Sequence, residues 1–269
     1  MPTDFSPDTY RPRADLLAGR VILVTGAGAG IGRAVSIALA RHGATVVLTG
    51  RSAKKLEAVY DAIVAAKAPK PAYLPLDLEN ALASDYDALA GAIEKEFGRL
   101  DGLLHNASIL GTRSPILHHD VPTWCRVLQV NLTAEFALTQ VCLPMLEAAP
   151  DGSLLFTTSG VGRQGRAYWG AYAVSKFGTE GLAQILAHEY EGQRLRVNLV
   201  NPGAVRTGMR ALAYPAEDAS KLVAPEAITA TYLYLLGPES AGVTGARFEC
   251  QGPAAGRAAA HASDARPAR

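Results

Sequence analysis

The sequence predicts an α/β fold: one domain built on a doubly wound parallel sheet with helices on both faces. Three observations carry that expectation. Short β-branched or aliphatic runs alternate with helical stretches of ten or more residues. The runs are apolar almost throughout, as in strands covered on both sides. A cluster of glycines joins the first run to the first helix. At 269 residues the chain is long enough for one large, well-buried core, and 49% hydrophobic with 19% charged residues is a globular composition.

Residues 1–18 hold Pro, Asp and Arg without periodicity and are expected to lie as an arm over the surface. Residues 21–25 form a first strand. Residues 31–41 form a helix, with Ile31, Val35, Ala38 and Leu39 at helical spacing and Gly43 as the glycine past its end. A strand over 45–49, a helix over 56–66, a strand over 73–76, a helix over 83–97 and a strand over 100–105 follow. Residues 123–146 read as one long helix that Pro144 bends or ends. A strand over 153–158, a helix over 171–190, a strand over 195–200, a helix over 225–236 and a last strand over 246–250 complete the alternation. No linker or repeat is visible, so a single domain spans 19–252. Residues 253–269, rich in Ala and Arg, are expected to be disordered.

Composition excludes several classes. A net charge of +1, with no basic face or aromatic platform, argues against a nucleic-acid partner. Cys125, Cys142 and Cys250 make no CxxC pair and suit a reducing compartment. The N-terminal stretch lacks the apolar run of a signal peptide, and no segment has the roughly 18–20 apolar residues of a membrane span. A cytoplasmic protein without membrane attachment is expected. His105, His118, His119 and His188 have no evident metal partners and read as structural or surface residues; no metal is expected.

The chemistry starts at Thr25-Gly26-Ala27-Gly28-Ala29-Gly30-Ile31-Gly32, between the first strand and the first helix. Glycines let a pyrophosphate approach the backbone, and free N–H groups at the helix N-terminus bind it. Thr25, Gly26, Gly28, Gly30, Ile31 and Gly32 are therefore candidate cofactor contacts in a Rossmann-type fold. The spacing is T-G-x-x-x-G-x-G rather than the commoner G-x-G-x-x-G. The second strand ends Leu48-Thr49-Gly50-Arg51-Ser52, with no acid to hold the ribose hydroxyls of NAD. Arg51, with Ser52, would instead pair with a 2′-phosphate, a contact worth about 1.5–3 kcal/mol. NADP(H) is thus preferred over NAD(H), the alternative being that Arg51 is an ordinary surface arginine.

Tyr172 and Lys176 lie four apart and share one helix face. A phenol is ordinarily too weak an acid to act at neutral pH; a nearby ammonium and an oxidised nicotinamide favour its phenolate and make it a usable acid or base. Such pairs are common on helices, and Ser159 is what makes this one specific. It follows the apolar strand over 153–158, where a parallel strand delivers its carboxyl end to a ligand crevice, and its hydroxyl can steady a developing alkoxide.

These motifs resemble those of the short-chain dehydrogenases/reductases, most closely the bacterial YciK-like oxidoreductases, from about residue 16 to 252. The narrower likeness lies in Gly162-Arg163-Gln164-Gly165-Arg166, Trp169-Gly170-Ala171-Tyr172 and His105-Asn106-Ala107-Ser108. The resemblance implies that Ser159, Tyr172 and Lys176 are the catalytic trio, and that Asn131 holds a water in the proton relay to Lys176. It implies adenine contacts from Asp77 and Leu78. It gives Asn106-Ala107 for the family's Asn-Ala-Gly, with Ser108 a departure. Pro202, Gly203, Val205 and Thr207 fall in its nicotinamide segment, P-G-x-x-x-T. Phe248-Glu249-Cys250-Gln251-Gly252-Pro253 lacks the usual Asp-Gly-Gly. The activity implied is hydride transfer between NADP(H) and a small-molecule carbonyl or alcohol, in a homodimer or homotetramer. The competing class is a non-catalytic NADP-binding sensor or scaffold, whose trio would be broken. For substrate, Trp169 offers an apolar wall, while Arg163 and Arg166 either hold an acidic group or face solvent.

Overall fold

The protein was analysed as a computed structural model that describes residues 5–252; the expectation for 253–269 lies outside the described residues, as do the first four residues of the arm. The first half of the domain holds β1 (Val21–Thr25), α1 (Gly30–Arg41), β2 (Thr45–Gly50), α2 (Ala53–Ala65) and β3 (Ala72–Pro75). Then come α3 (Ala83–Phe97), β4 (Gly102–His105), α4 (Val121–Leu128), α5 (Ala134–Ala148) and β5 (Ser153–Thr157). The chain continues with α6 (Gly170–Glu189), β6 (Arg196–Asn201), α7 (Gly208–Ala213), α8 (Thr229–Leu236) and β7 (Arg247–Glu249). The seven strands pair in parallel in the order β3-β2-β1-β4-β5-β6-β7, a Rossmann-type sheet. The order reverses between β1 and β4, and that switch point opens a crevice at the carboxyl ends of the strands.

Every residue of β1, β4 and β5 is buried, because helices cover both faces. On one face Val35, Leu39, Leu56, Ile63, Tyr232 and Leu236 from α1, α2 and α8 pack on the sheet. Tyr86, Ile93, Leu138, Cys142, Ala183 and Leu186 from α3, α5 and α6 fill the other. Residues 5–18 lie against the first face. Leu16 and Leu17 are buried there, and Phe5 stacks on Tyr234 with ring centroids 4.1 Å apart.

The helix expected over 123–146 is corrected. The chain is helical from Val121 to Ala148, but a π-helical turn, Gln129–Thr133, divides α4 from α5, and the helix passes through Pro144. Proline there forfeits one hydrogen bond, to the carbonyl four residues earlier, and the helix nevertheless continues for four more residues. The widened turn is where Asn131 points inward, with no solvent exposure.

Charges fasten the opposite, amino ends of the strands. Asp151, just before β5, takes Arg196 Nε at 2.8 Å and Arg20 Nη1 at 3.0 Å. Arg196 opens β6, is buried, and also donates to Ser240 Oγ and the Leu235 and Gly237 carbonyls. Asp101 accepts the Val21 N–H at 2.9 Å and holds Arg99. Asp151→Ala is expected to cost about 3 kcal/mol, the low end for removing one partner of a buried pair, because Arg196 keeps neutral acceptors. A lowered urea midpoint with an unchanged m-value is the check.

Candidate active site

The glycine turn is shaped by close approach. Gly26 has φ +66°, and a Cβ on it would meet the Ala107 Cα at 2.9 Å. A Cβ on Gly32 would run into the Gly26 carbonyl and the Asn106 amide. Thr25 Oγ1 ties the two loops together by accepting the Asn106 and Ala107 N–H groups, both at 2.9 Å, and the Asn106 amide donates to the Thr25 carbonyl. The residue preceding α1 is Ala29, which has no oxygen to cap the helix, and the first turn holds no acid. The free N–H groups and dipole of α1 therefore face the crevice as an anion site. This cradle fits a dinucleotide pyrophosphate.

A cavity of about 360 Å³ opens from that cradle. It gathers Gly26, Gly30, Ile31, Asn106 and Ala107 with Ser159, Trp169, Tyr172 and Lys176, and with Pro202, Gly203, Val205 and Thr207. A second cavity, of about 280 Å³, shares Gly26 and Ala107 with it and is lined by Gly28, Arg51, Ser52, Asp77 and Leu78. So the residues expected at the nicotinamide end line one chamber and those expected at the adenosine end line its neighbour. Arg51 is exposed; Ser52 caps α2, its Oγ accepting from the Lys55 N–H. Asp77 accepts the Asn80 side-chain amide at 2.8 Å, which fixes its carboxylate at the rim.

Tyr172 and Lys176 project from the first turns of α6, and Lys176 is 2% exposed. Its Nζ donates to the Thr157 carbonyl at 2.9 Å, at the end of β5, and lies 3.5 Å from Glu135 Oε1 on α5. Thr179 Oγ1 donates to Glu135 Oε2 at 2.7 Å. Burial pushes the Glu135 carboxyl up to about 7, although Lys176 and Thr179 favour its ionised form. Asn131 uses its whole side chain as a brace. Oδ1 accepts the Ile109 N–H at 2.8 Å, and Nδ2 donates to the Ile109 carbonyl and to Ser175 Oγ. Its backbone carbonyl takes a 3.4 Å contact from Thr179 Oγ1.

A family model described as short chain dehydrogenase matches residues 20–218. The chain belongs to the short-chain dehydrogenase family. It is 50% identical over 242 residues, 90% of this chain and 96% of the relative, to YciK of Escherichia coli strain K12, named an uncharacterized oxidoreductase. It is 33% identical over 241 residues, 85% of this chain and 95% of the relative, to the 3-oxoacyl-[acyl-carrier-protein] reductase FabG of Thermotoga maritima. A short-chain-dehydrogenase structure from Escherichia coli CFT073, complexed with NADPH, superposes with a TM-score of 0.88 at 50% identity, covering 90% of this chain and 100% of that one.

On the substrate side of this short-chain dehydrogenase Trp169 lines the main cavity, and neither Arg163 nor Arg166 does. The Arg163 side chain is 59% exposed, as in the solvent-facing alternative; its Nε donates to Glu180 at 3.0 Å, and Glu180 is itself buried and shared with Thr158 and Arg247. Arg166 lines a side chamber of about 210 Å³ next to Trp169, Arg210 and Tyr214. Sequence reasoning passed over Arg113, whose guanidinium lies 4.7 Å from the Trp169 ring centroid and 4.8 Å from that of Tyr214, and which donates to the Ala213 carbonyl. It passed over Gln251 too, which donates to the Pro202 carbonyl at 2.7 Å and to that of Ala204 at 3.0 Å. Gln251, two residues past β7, thereby braces the Pro202-Gly203 turn. Among the described residues no cluster of three His, Cys, Asp or Glu side chains could hold a metal, and no helix is long and apolar enough to cross a membrane.

Gly32→Ala forces the cradle apart and is expected to cost about 1–3 kcal/mol. It should also remove most of the melting-temperature rise that NADPH gives the parent. Gly91→Ala, where a Cβ meets nothing within 4 Å, is the contrast and should be neutral or stabilising by up to about 1 kcal/mol; thermal melts with and without NADPH compare the two.

Proposed function

We propose that the protein is an NADP(H)-dependent oxidoreductase that interconverts a small-molecule carbonyl and the corresponding alcohol, with Tyr172 as general acid and base. One observation carries this reading: Ser159, Tyr172 and Lys176 line the same cavity as the open N-terminus of α1 and the Pro202–Thr207 segment. The bound dinucleotide supplies a hydride at its nicotinamide ring. Tyr172 gives a proton to the substrate oxygen, and Ser159 hydrogen-bonds that oxygen as charge develops on it. Lys176 favours the phenolate left behind and holds the nicotinamide ribose. Asn131 keeps residue 109 in place and offers its carbonyl to a relay water. Leu110, Trp169, Met209 and Ala213 make the remaining walls largely apolar, which suits an uncharged body around the carbonyl.

The NADPH bound to the Escherichia coli CFT073 relative supports the cofactor, and Arg51 beside Ser52 and Lys55, with no acid at the end of β2, supports the preference over NAD(H). Exposed Val174, Phe177 and Ile185 share one face of α6, and Phe136 is exposed on α5; these support a homo-oligomer. Of the small residues on α6, Ala173 and Ala183 are buried and Gly178 lies against Leu132, so these three pack within the chain, whereas a Cβ on Gly181 would meet nothing within 4 Å. Three free thiols support a cytoplasmic setting.

NADPH oxidation over a panel of aldehydes, ketones and quinones tests the reaction. Tyr172→Phe is expected to abolish turnover while NADPH fluorescence still titrates with nearly the parent affinity; a fully active Tyr172→Phe protein refutes the scheme. Arg51→Ala is expected to weaken NADPH about ten- to hundredfold and leave NADH unchanged, as dissociation constants for both cofactors would show.

A further inference from the structure

We propose that Glu135 is a positioning residue for Lys176: a sealed carboxyl that takes up and releases a proton, and by its charge sets how strongly the lysine ammonium acts on the cofactor and on Tyr172. The geometry is a three-way contact beneath the cavity floor. Glu135 is 3% exposed; Oε2 is committed to Thr179, and Oε1 faces Nζ at 3.5 Å, outside the tighter 2.9 Å contact of Nζ with the Thr157 carbonyl. On its other side Lys176 borders the cavity with Tyr172. The ammonium is thus drawn two ways. When Glu135 is ionised, the pair is neutral, and its pull opposes the contact with the ribose. When Glu135 is protonated, the full positive charge is felt in the cavity.

The neighbouring groups leave this role to Glu135. His105 on β4 bonds Thr139 Oγ1 at 2.8 Å and is stacked on Phe156; burial, aided by the Lys176 charge, holds it down to about 3, so it stays neutral. Tyr86, the buried phenol of α3, which packs on α5, is pushed up by burial and remains protonated. Glu180, one turn beyond Lys176 on α6, is spent on Thr158, Arg163 and Arg247. Among the described residues, Lys176 is the charge that bears on Glu135 and Glu135 the carboxylate that answers it. Burial raises Glu135 to about 7, so the exchange falls within the neutral range.

This inference rests on Lys176 contacting the bound cofactor, and its test does not need turnover. Glu135→Gln keeps an oxygen for Thr179 and removes the titration. NADPH dissociation constants are measured for parent and variant by fluorescence from about pH 6 to about pH 8. The 2′-phosphate titrates in both proteins and cancels in their ratio. The parent is expected to weaken relative to Glu135→Gln by about two- to tenfold across that range, the loss of roughly one hydrogen bond. A ratio that differs from one but does not change with pH would mean a purely structural role and overturns the proposal. If a carbonyl is reduced, the parent-to-variant ratio of kcat/KM follows the same curve. If none is, the oxidoreductase reading fails while the NADPH ratio still decides about Glu135. Should the variant not fold, infrared difference spectra of the parent decide: a buried carboxylic acid C=O band must bleach over the same pH range, and its absence overturns the proposal.

Discussion

An ammonium taken out of water needs oxygens already waiting for it, and Lys176 is 2% exposed. Its acceptors come from two elements besides its own: the Thr157 carbonyl closes β5, and Glu135 sits in the first turn of α5. Thr179, one turn along α6, fixes the carboxyl. The positions of α5, α6 and β5 are thus set against one charge. The π turn before α5 belongs to the same arrangement, since it carries Asn131, whose amide reaches Ser175 on α6 and the backbone of Ile109. Shifting any of these elements strands either a cation or an amide in a dry interior.

Stability and chemistry occupy opposite ends of one sheet. At the amino ends of the strands, carboxylates and guanidiniums close on one another: Asp151 on Arg196 and Arg20, Asp101 on Arg99 and the first N–H of β1. At the carboxyl ends, polar groups are left pointing into open space, with the α1 N-terminus uncapped and Ser159 only partly covered. A parallel sheet makes this separation available, because all its strands deliver their ends to the same side. The short-chain dehydrogenase family membership and the geometry therefore point to the same crevice.

What the sequence made legible was local in origin. The alternation of apolar runs and helices yields the seven parallel strands, and Gly43, at φ +96°, ends α1 as its position implied. Gly26, Gly30 and Gly32 stand out because a tight turn needs them within a few residues. Tyr172, Lys176 and Ser159 carry spacing that a helix and a strand end translate directly into proximity. The residues that escaped notice act over long separations. Glu135 looks like a surface acid until α6 is laid beside it, 41 residues on. Arg113 meets Ala213 across 100 residues, and Gln251 meets Pro202 across 49. Arg163 could be read from its loop either as a substrate contact or as a solvent-facing arginine; its half-exposed guanidinium follows the nearest buried carboxylate, Glu180. Pro144 does not end α5, since the loss of one hydrogen bond leaves the rest of the helix in place.

The mouth of the cavity is fastened in an unusual way. The Trp169 and Tyr214 rings stand 6.0 Å apart, centroid to centroid; the Arg113 guanidinium sits against both, 4.7 and 4.8 Å from their centroids, and Arg210 covers the Tyr214 ring 3.9 Å from its centroid while gripping Glu217 at 2.6 Å. Three segments distant in sequence thus meet through tilted aromatic rings and the flat cations laid against them. A cation on an aromatic face is worth about 0.5–1 kcal/mol at an exposed site and more when desolvated, and the Arg210 side chain is only 19% exposed. The Arg210–Glu217 pair that steadies these contacts is itself mostly covered, with side chains 19% and 26% exposed, so salt weakens this fastening less than it would a surface ion pair.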